Sequence, residues 1–343
     1  MTSTASTSRW PNRLAIALAS ATFPLIWMGG LVTTYDAGMA VPDWPQTYGY
    51  WFYYPLRYWL AARDIFLEHS HRMIGTVVGL LTIALALALW RIDRRRGVRW
   101  LGPLALVGVC AQGTLGGLRV RMNEILLADI HGCIAPLFFA LTTALVALTS
   151  VPWQTAPAAQ PHPAAVRLQR LSLAVTALVY LQIVFGAQLR HMARLTGTSS
   201  LSLWVWLHVV NALAIAAGVT WLVCAVLRNA ASQEKGTGSF CAEHPKGRSG
   251  NRCLSPFPWP LTGRATLLAA VLTVQLLLGA ATWVTKYGWP AWFTTYVWSL
   301  EYTVVSGGRL SSHLTTAHVA FGSLMLVTSL SLTLWTRRLL RSA

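Results

Sequence analysis

The sequence predicts an all-α integral membrane protein of eight transmembrane helices, arranged as two pseudo-repeated four-helix bundles. Three observations carry that expectation. Of 343 residues, 55% are hydrophobic and 11% charged, at a mean hydropathy of +0.50, more apolar than a soluble domain requires. Eight apolar stretches reach the ~20 helical residues that cross a hydrocarbon core. Histidine recurs at the head of every second stretch, each time followed four residues later by glycine or alanine: His71/Gly75, His131/Ala135, His208/Ala212 and His318/Gly322.

The spans are expected at residues 13–34, 70–92, 99–121, 128–150, 167–190, 203–228, 263–286 and 310–335. The first lacks a small-residue cleavage site and runs into Gly29-Gly30, so a retained helix is expected rather than a secretory signal. The odd spans repeat as well: Gln112-x3-Gly116-Gly117, Gln182-x3-Gly186-Ala187 and Gln275-x3-Gly279-Ala280, with Leu25-x3-Gly29-Gly30 lacking the glutamine. Small residues one turn apart permit close helix approach in lipid, and equally leave clearance for a flat ligand. The join between halves falls in the stretch from Val151 to Ala165, which holds Pro152, Pro157, Pro161 and Pro163. The expected division is a tail at 1–12, a first half at 13–150, a linker at 151–166 and a second half at 167–343. Within the second half, 229–262 is rich in glycine, serine and charge and is expected to be a flexible loop.

Basic residues orient the spans. On one side of the predicted membrane lie 18 of the 27 lysines and arginines, including Arg91, Arg94, Arg95, Arg96 and Arg99, and such an excess marks cytoplasmic loops. Both termini are therefore expected in the cytoplasm, in a multi-pass protein of the cell membrane. The net charge of +17 is topological on this reading, and no nucleic-acid-binding module is recognisable.

With that orientation the four recurrent histidines share one depth, at the outer ends of the even spans. Neutral imidazole is a good iron ligand, and a small residue one turn away leaves room for a macrocycle, so the pattern points to heme. If each half closes as a bundle, His71 faces His131 and His208 faces His318, giving each half an axial pair. Lone histidines near helix ends more often serve as interfacial hydrogen-bonding groups, and the remaining ones are read that way: His69 and His191 in or beside outer loops, His162 and His244 cytoplasmic, and His313 turned about 140° from the His318 face.

Glu68 lies one turn before His71, with Gly75 and Gly79 continuing its stripe inward. A carboxyl there is a candidate acid or base, and an ion pair with Arg72 or Arg63 is the competing reading. Arg72, Arg119, Arg121, Arg190, Arg194 and Arg309 sit at the same level and suit heme propionates or plain snorkelling. Two outer loops are rich in rings: Trp44, Tyr48, Tyr50, Trp51, Phe52, Tyr53, Tyr54, Tyr58 and Trp59, then Trp289, Trp292, Phe293, Tyr296, Trp298 and Tyr302. They read as lids over the bundle or as an interfacial belt.

The stretch Gly29-Gly30-Leu31-Val32-Thr33, the run Val41-Pro42-Asp43-Trp44-Pro45 and the helix start Glu68-x2-His71-Arg72, with later histidines at matching positions, resemble heme A synthase. That resemblance covers nearly the whole chain. It implies oxidation of a methyl group of heme O to a formyl group, giving heme A for a terminal cytochrome oxidase. It implies a substrate site in the first half flanked by His71 and His131, with Glu68 serving the chemistry. It also implies a heme b cofactor in the second half, ligated by His208 and His318. A heme O synthase as substrate donor and an electron acceptor of unidentified kind would be partners.

The chain departs from one feature of some family members, a cysteine pair in an outer loop. Cys110, Cys133 and Cys224 fall within spans, and Cys241 and Cys253 in the cytoplasmic loop, so electrons are expected to leave by another route. Cys241, His244 and Cys253 are too few and too irregularly spaced for a zinc site. The competing class is a di-heme electron carrier of cytochrome b type, which accounts for the histidines but not for Glu68 or the Pro42-Asp43-Trp44-Pro45 loop. A transporter predicts broken helices and charged midplane residues, which the sequence does not show.

Overall fold

A computed structural model describes residues 8–51, 53–191, 198–240, 259–289, 294–295 and 308–342. Several residues singled out above lie outside the described residues: the start of the tail at 1–7, Phe52, Arg194, Cys241, His244, Cys253, and Trp292, Phe293, Tyr296, Trp298 and Tyr302 of the second aromatic loop.

Eight described helices are long and apolar enough to cross a membrane. They are α1 (Trp10–Thr34), α3 (Arg63–Ile92), α4 (Arg96–Met122), α5 (Ile125–Thr149), α7 (Ala165–His191), α8 (Thr198–Phe240), α9 (Trp259–Tyr287) and α10 (Arg309–Leu339). Short helices α2 (Leu56–Trp59) and α6 (Val151–Thr155) lie in the connections, and strands β1 (Gln160–Pro161) and β2 (Leu340–Arg341) pair in parallel. The chain is thus an all-α, multi-pass membrane protein. Its outward surface carries leucine and valine, with Leu80, Val107, Leu213 and Leu277 exposed, as expected where the surrounding solvent is lipid.

Each set of four spanning helices closes as a ring: α1 against α3, α3 against α4, α4 against α5 and α5 back onto α1, then α7, α8, α9 and α10 in the same manner. The rings meet where α1 and α5 touch α10, and where α5 touches α7. Leu18, Leu85, Leu89 and Leu145 fill the first ring. Leu168, Leu222, Leu268 and Leu332 fill the second, and Phe139 of α5 joins their cluster across the boundary.

Hydrophobic burial gives little drive between helices in lipid, so close packing and hydrogen bonds must hold them. At the α1–α10 crossing a Cβ on Gly30 would lie 2.9 Å from Thr316 Cγ2, while the Thr34 and Thr316 hydroxyls meet at 3.1 Å. Between α7 and α10 hydroxyls pair again, Ser172 with Thr336 at 3.3 Å and Thr176 with Thr333 at 3.0 Å. Arg190 crosses from α7 to α1, donating to the Gly30 carbonyl at 2.6 Å and to the Thr34 hydroxyl at 2.5 Å. At the opposite end Arg338 holds the connection between the rings through the carbonyls of Trp153, Ala156 and Pro157.

Two expectations need correction. The second spanning helix begins at Arg63 rather than at residue 70, which puts His69 on a helix, buried, where its ring meets the Thr47 hydroxyl at 3.0 Å. The loop expected at 229–262 is shorter at both ends, because α8 runs on to Phe240 and α9 starts at Trp259.

Candidate heme-binding site

His71 on α3 and His131 on α5 stand at opposite corners of the first ring, with ring centres 6.5 Å apart and planes at 76°. His208 on α8 and His318 on α10 take the same corners of the second, at 6.2 Å and 68°. With metal–imidazole bonds of about 2 Å and about 1 Å from nitrogen to ring centre, two rings on opposite faces of one metal have centres about 6 Å apart. Both pairs have that spacing. Among the described residues no group of three or more His, Cys, Asp or Glu could hold a bare metal ion. A pair suffices where a macrocycle supplies the equatorial ligands.

Each imidazole is seated by a glycine on the preceding spanning helix. A Cβ on Gly29 would come 2.8 Å from His71 Cε1, on Gly116 3.3 Å from His131 Cε1, on Gly186 3.3 Å from His208 Cε1, and on Gly279 3.0 Å from His318 Cε1. The glutamines of the odd-span repeat reach three of the four histidines. Gln112, Gln182 and Gln275 donate their amides to the backbone carbonyls of His131, His208 and His318, at 3.4, 2.9 and 3.0 Å. Asn211 fixes the Gln182 amide by donating to its oxygen at 2.7 Å. Nδ1 of each of the four rings is buried without a hydrogen-bond partner, which leaves Nε2 as the nitrogen with access to space. These donors fit heme: paired imidazoles, one open nitrogen apiece, and ring positions fixed by neighbouring helices.

A cavity of about 550 Å³ is lined by all four histidines, within the range of small-molecule and cofactor sites. Gly75, Ala135 and Gly322, the small residues one turn after three of the histidines, line it, whereas Ala212 does not. A Cβ on Gly75 would meet only Leu25 Cδ1, at 3.9 Å, and one on Gly79 would meet nothing. The sequence pattern therefore combines two jobs. Small residues on the histidine helices keep the cavity open, and those on the odd helices seat the rings.

Over one side of the cavity folds the loop between α1 and α3. Trp44, Pro45, Thr47 and Trp51 line it, and the Trp44 indole covers Gly117 so closely that a Cβ there would fall 2.3 Å from its ring atoms. The loop is tied to α3 by a buried ion pair. Arg72 and Glu68 meet at 2.6 Å, Glu68 Oε2 accepts from the Val41 amide at 2.8 Å, and Arg72 donates to the carbonyls of Val41, Asp43 and Gln46 at 2.6–2.8 Å. The competing reading of Glu68, an ion pair with Arg72, is thus formed, on a carboxylate that also lines the cavity. Asp43 turns the loop by accepting from the amides of Tyr48 and Gly49 at 2.8 Å. Burial works against its charge, but those amides and the Arg72 guanidinium outweigh it and hold the carboxyl below its usual value of 3.8. The Tyr48 hydroxyl donates to the Ala40 carbonyl and closes the turn.

His191, expected in or beside an outer loop and not as a ligand, is the last residue of α7 and lines the cavity beside Arg190, with Nε2 3.7 Å from where a Cβ on Gly132 would project. Of the arginines proposed for propionates, Arg72, Arg119 and Arg190 line the cavity, while Arg121 and Arg309 are exposed outside its lining. Cys110, Cys133 and Cys224 are free thiols on spanning helices.

Residues 12–201 match the family model described as cytochrome oxidase assembly protein. The chain belongs to that family. Three relatives carry the name heme A synthase. The protein of Hyphomonas neptunium is 24% identical over 206 residues, 52% of this chain and 58% of the relative. That of Lysinibacillus sphaericus is 26% identical over 190 residues, 54% and 59% of the two chains. That of Methylobacterium radiotolerans is 34% identical over 126 residues, 35% and 33%. The matched part of the chain thus spans about three-fifths of the first two relatives and a third of the other. The family match at 12–201 takes in nearly all of α1, the loop with Trp44, the Glu68–Arg72 pair, His71 and His131.

Proposed function

We propose that this family member is a heme A synthase, an oxidoreductase that converts a methyl group on the rim of heme O to a formyl group. The observation that carries the reading is the pair of facing histidine couples, at 6.5 and 6.2 Å, on one cavity. Family membership and the shared name of the relatives support it.

On this reading the chain has two halves, 13–150 and 167–343, joined by the linker at 151–166. His71 and His131 hold the substrate heme in the first, and His208 and His318 hold a resident heme b in the second. Bound heme b would supply one-electron redox chemistry, an outlet for electrons withdrawn from the substrate. The protein's own contribution is positional. The seated imidazoles fix the substrate ring, and the loop carrying Trp44 keeps bulk water from its edge. Glu68 presents the one carboxylate among the described residues that lines the cavity, where it stabilises positive charge developing at the reacting carbon or receives a proton. Oxidation passes through an alcohol and then a hydrated aldehyde that loses water, as the family resemblance implies; each of the two stages balances with one water supplying the oxygen and two electrons and two protons leaving. The protein sits in the cell membrane with its arginine-rich helix ends in the cytoplasm, takes heme O from a heme O synthase or from lipid, and passes electrons to an acceptor of unidentified kind.

The test is expression in a host that makes heme O but lacks a heme A synthase, followed by extraction and chromatography of the hemes. Heme A alongside heme B is the expected result. Heme B alone, with heme O present and an electron acceptor supplied, overturns the synthase reading in favour of a di-heme electron carrier.

A further inference from the structure

We propose that Arg119 is the carboxylate anchor for the substrate porphyrin, and that Gly38 is the residue that makes its placement possible; this rests on the cavity being the substrate-heme pocket. Three guanidinium groups line the cavity, and the structure separates them by how their donors are used. Arg72 makes four hydrogen bonds, to Glu68 and three loop carbonyls. Arg190 is bound to α1 through Gly30 and Thr34. Arg119 donates no hydrogen bond to protein among the described residues, although it lies on a spanning helix and is shielded from solvent on most sides.

A guanidinium in a low-dielectric site is costly unless its charge and donors are met. Its planar fork suits a carboxylate bidentately. The acids within its electrostatic reach are Glu68 and Asp36; both oxygens of Glu68 are already engaged, by Arg72 and the Val41 amide, and Asp36 acts on Arg119 through space, with no ion pair or hydrogen bond between these two described residues. Arg119 also lies within electrostatic reach of both His71 and His131, so it belongs to the first couple rather than the second. The loop accommodates it at one point: a Cβ on Gly38 would fall 1.9 Å from Arg119 Nη2 and 2.7 Å from Cζ. Any side chain at 38 displaces the guanidinium. A tetrapyrrole bound between His71 and His131 with ionised propionate arms is the ligand whose chemistry meets this group, and neutralising those arms removes the complementarity.

The experiment is spectrophotometric titration of the purified full-length protein with hemin and, separately, with hemin dimethyl ester. In the wild type the signal must depend on His71. Arg119→Gln should weaken hemin binding about tenfold, or about 1.4 kcal/mol, the loss of a charge-assisted hydrogen bond, while leaving the ester unchanged. Gly38→Ala should reproduce that selective loss with the arginine still present, and Arg119→Lys should recover part of the hemin affinity. Equal losses for hemin and ester, or hemin binding within twofold of wild type in both Arg119→Gln and Gly38→Ala, overturn the anchor while leaving the synthase reading intact. A wild-type hemin signal indifferent to His71→Ala overturns the pocket itself.

Discussion

Glu68 and Arg72 pair at 2.6 Å across one turn of α3, and each also grips the backbone of Val41, the carboxylate through its amide and the guanidinium through its carbonyl. One ion pair therefore both lines the cavity and clamps the loop that covers it. The two roles are separable, because a glutamine keeps the shape and an oxygen for the Val41 amide but loses the charge.

Glu68→Gln should consequently keep the protein folded, retain heme B and stop heme A formation. Glu68→Ala should also loosen the loop, since removing one member of a buried pair costs about 3–5 kcal/mol. Heme extraction together with thermal denaturation in detergent checks both. An unchanged heme A yield in Glu68→Gln would leave the residue only its clamping role.

His208→Ala and His318→Ala should each remove the low-spin b-type spectrum from protein grown without heme O, while His71→Ala and His131→Ala leave it in place. Absorption spectra of dithionite-reduced protein make the comparison. A b-type spectrum retained in both second-half variants would mean that the resident heme is held elsewhere.

The glycine seats predict which helix glycines tolerate a methyl group. Gly29→Ala would drive a Cβ to 2.8 Å from the His71 ring and Gly279→Ala to 3.0 Å from the His318 ring. Overpacking of this kind costs about 1–3 kcal/mol, so heme occupancy should fall roughly tenfold at the affected couple alone. Gly79→Ala meets nothing within 4 Å and should be neutral or slightly stabilising. Heme-to-protein ratios decide it.

Acidity should release the covering loop. Because Asp43 is held below 3.8, its contribution is complete above that value and is lost as pH falls through the lowered one. Asp43→Asn should expose the Tyr48 and Gly49 amides at neutral pH, and wild type should come to match it only in strong acid. Hydrogen exchange in peptides spanning 40–51, corrected for intrinsic rates, provides the readout, and identical neutral-pH exchange in the two proteins counts against the Asp43 turn.

Much of this arrangement is legible in the sequence because period and spacing survive tertiary folding. Eight apolar spans and four histidines at matching heights follow from counting along the chain. What the glycines do does not follow. Gly29 and Gly75 look alike in one dimension, yet one seats a ring on the next helix and the other borders open space, a difference set by which face each helix turns inward. His69 reads as a loop residue for a related reason. Arg63, Asp64 and Glu68 look too polar for a span, but the Arg63 and Asp64 side chains sit exposed at the helix start while Glu68 and His69 turn inward onto the folded loop. The clamp by Arg72 depends on carbonyls 26 to 31 residues away, and no local pattern announces it.

The seats under the four imidazoles also have a thermodynamic meaning. Rotamer freedom is surrendered when the helices associate rather than when a ligand arrives, so the entropy of ordering these rings is absent from any later binding step. A flat ligand arriving between such rings therefore spends less of its binding energy on ordering them, and its affinity reports the fit of the ring rather than the stiffening of its ligands.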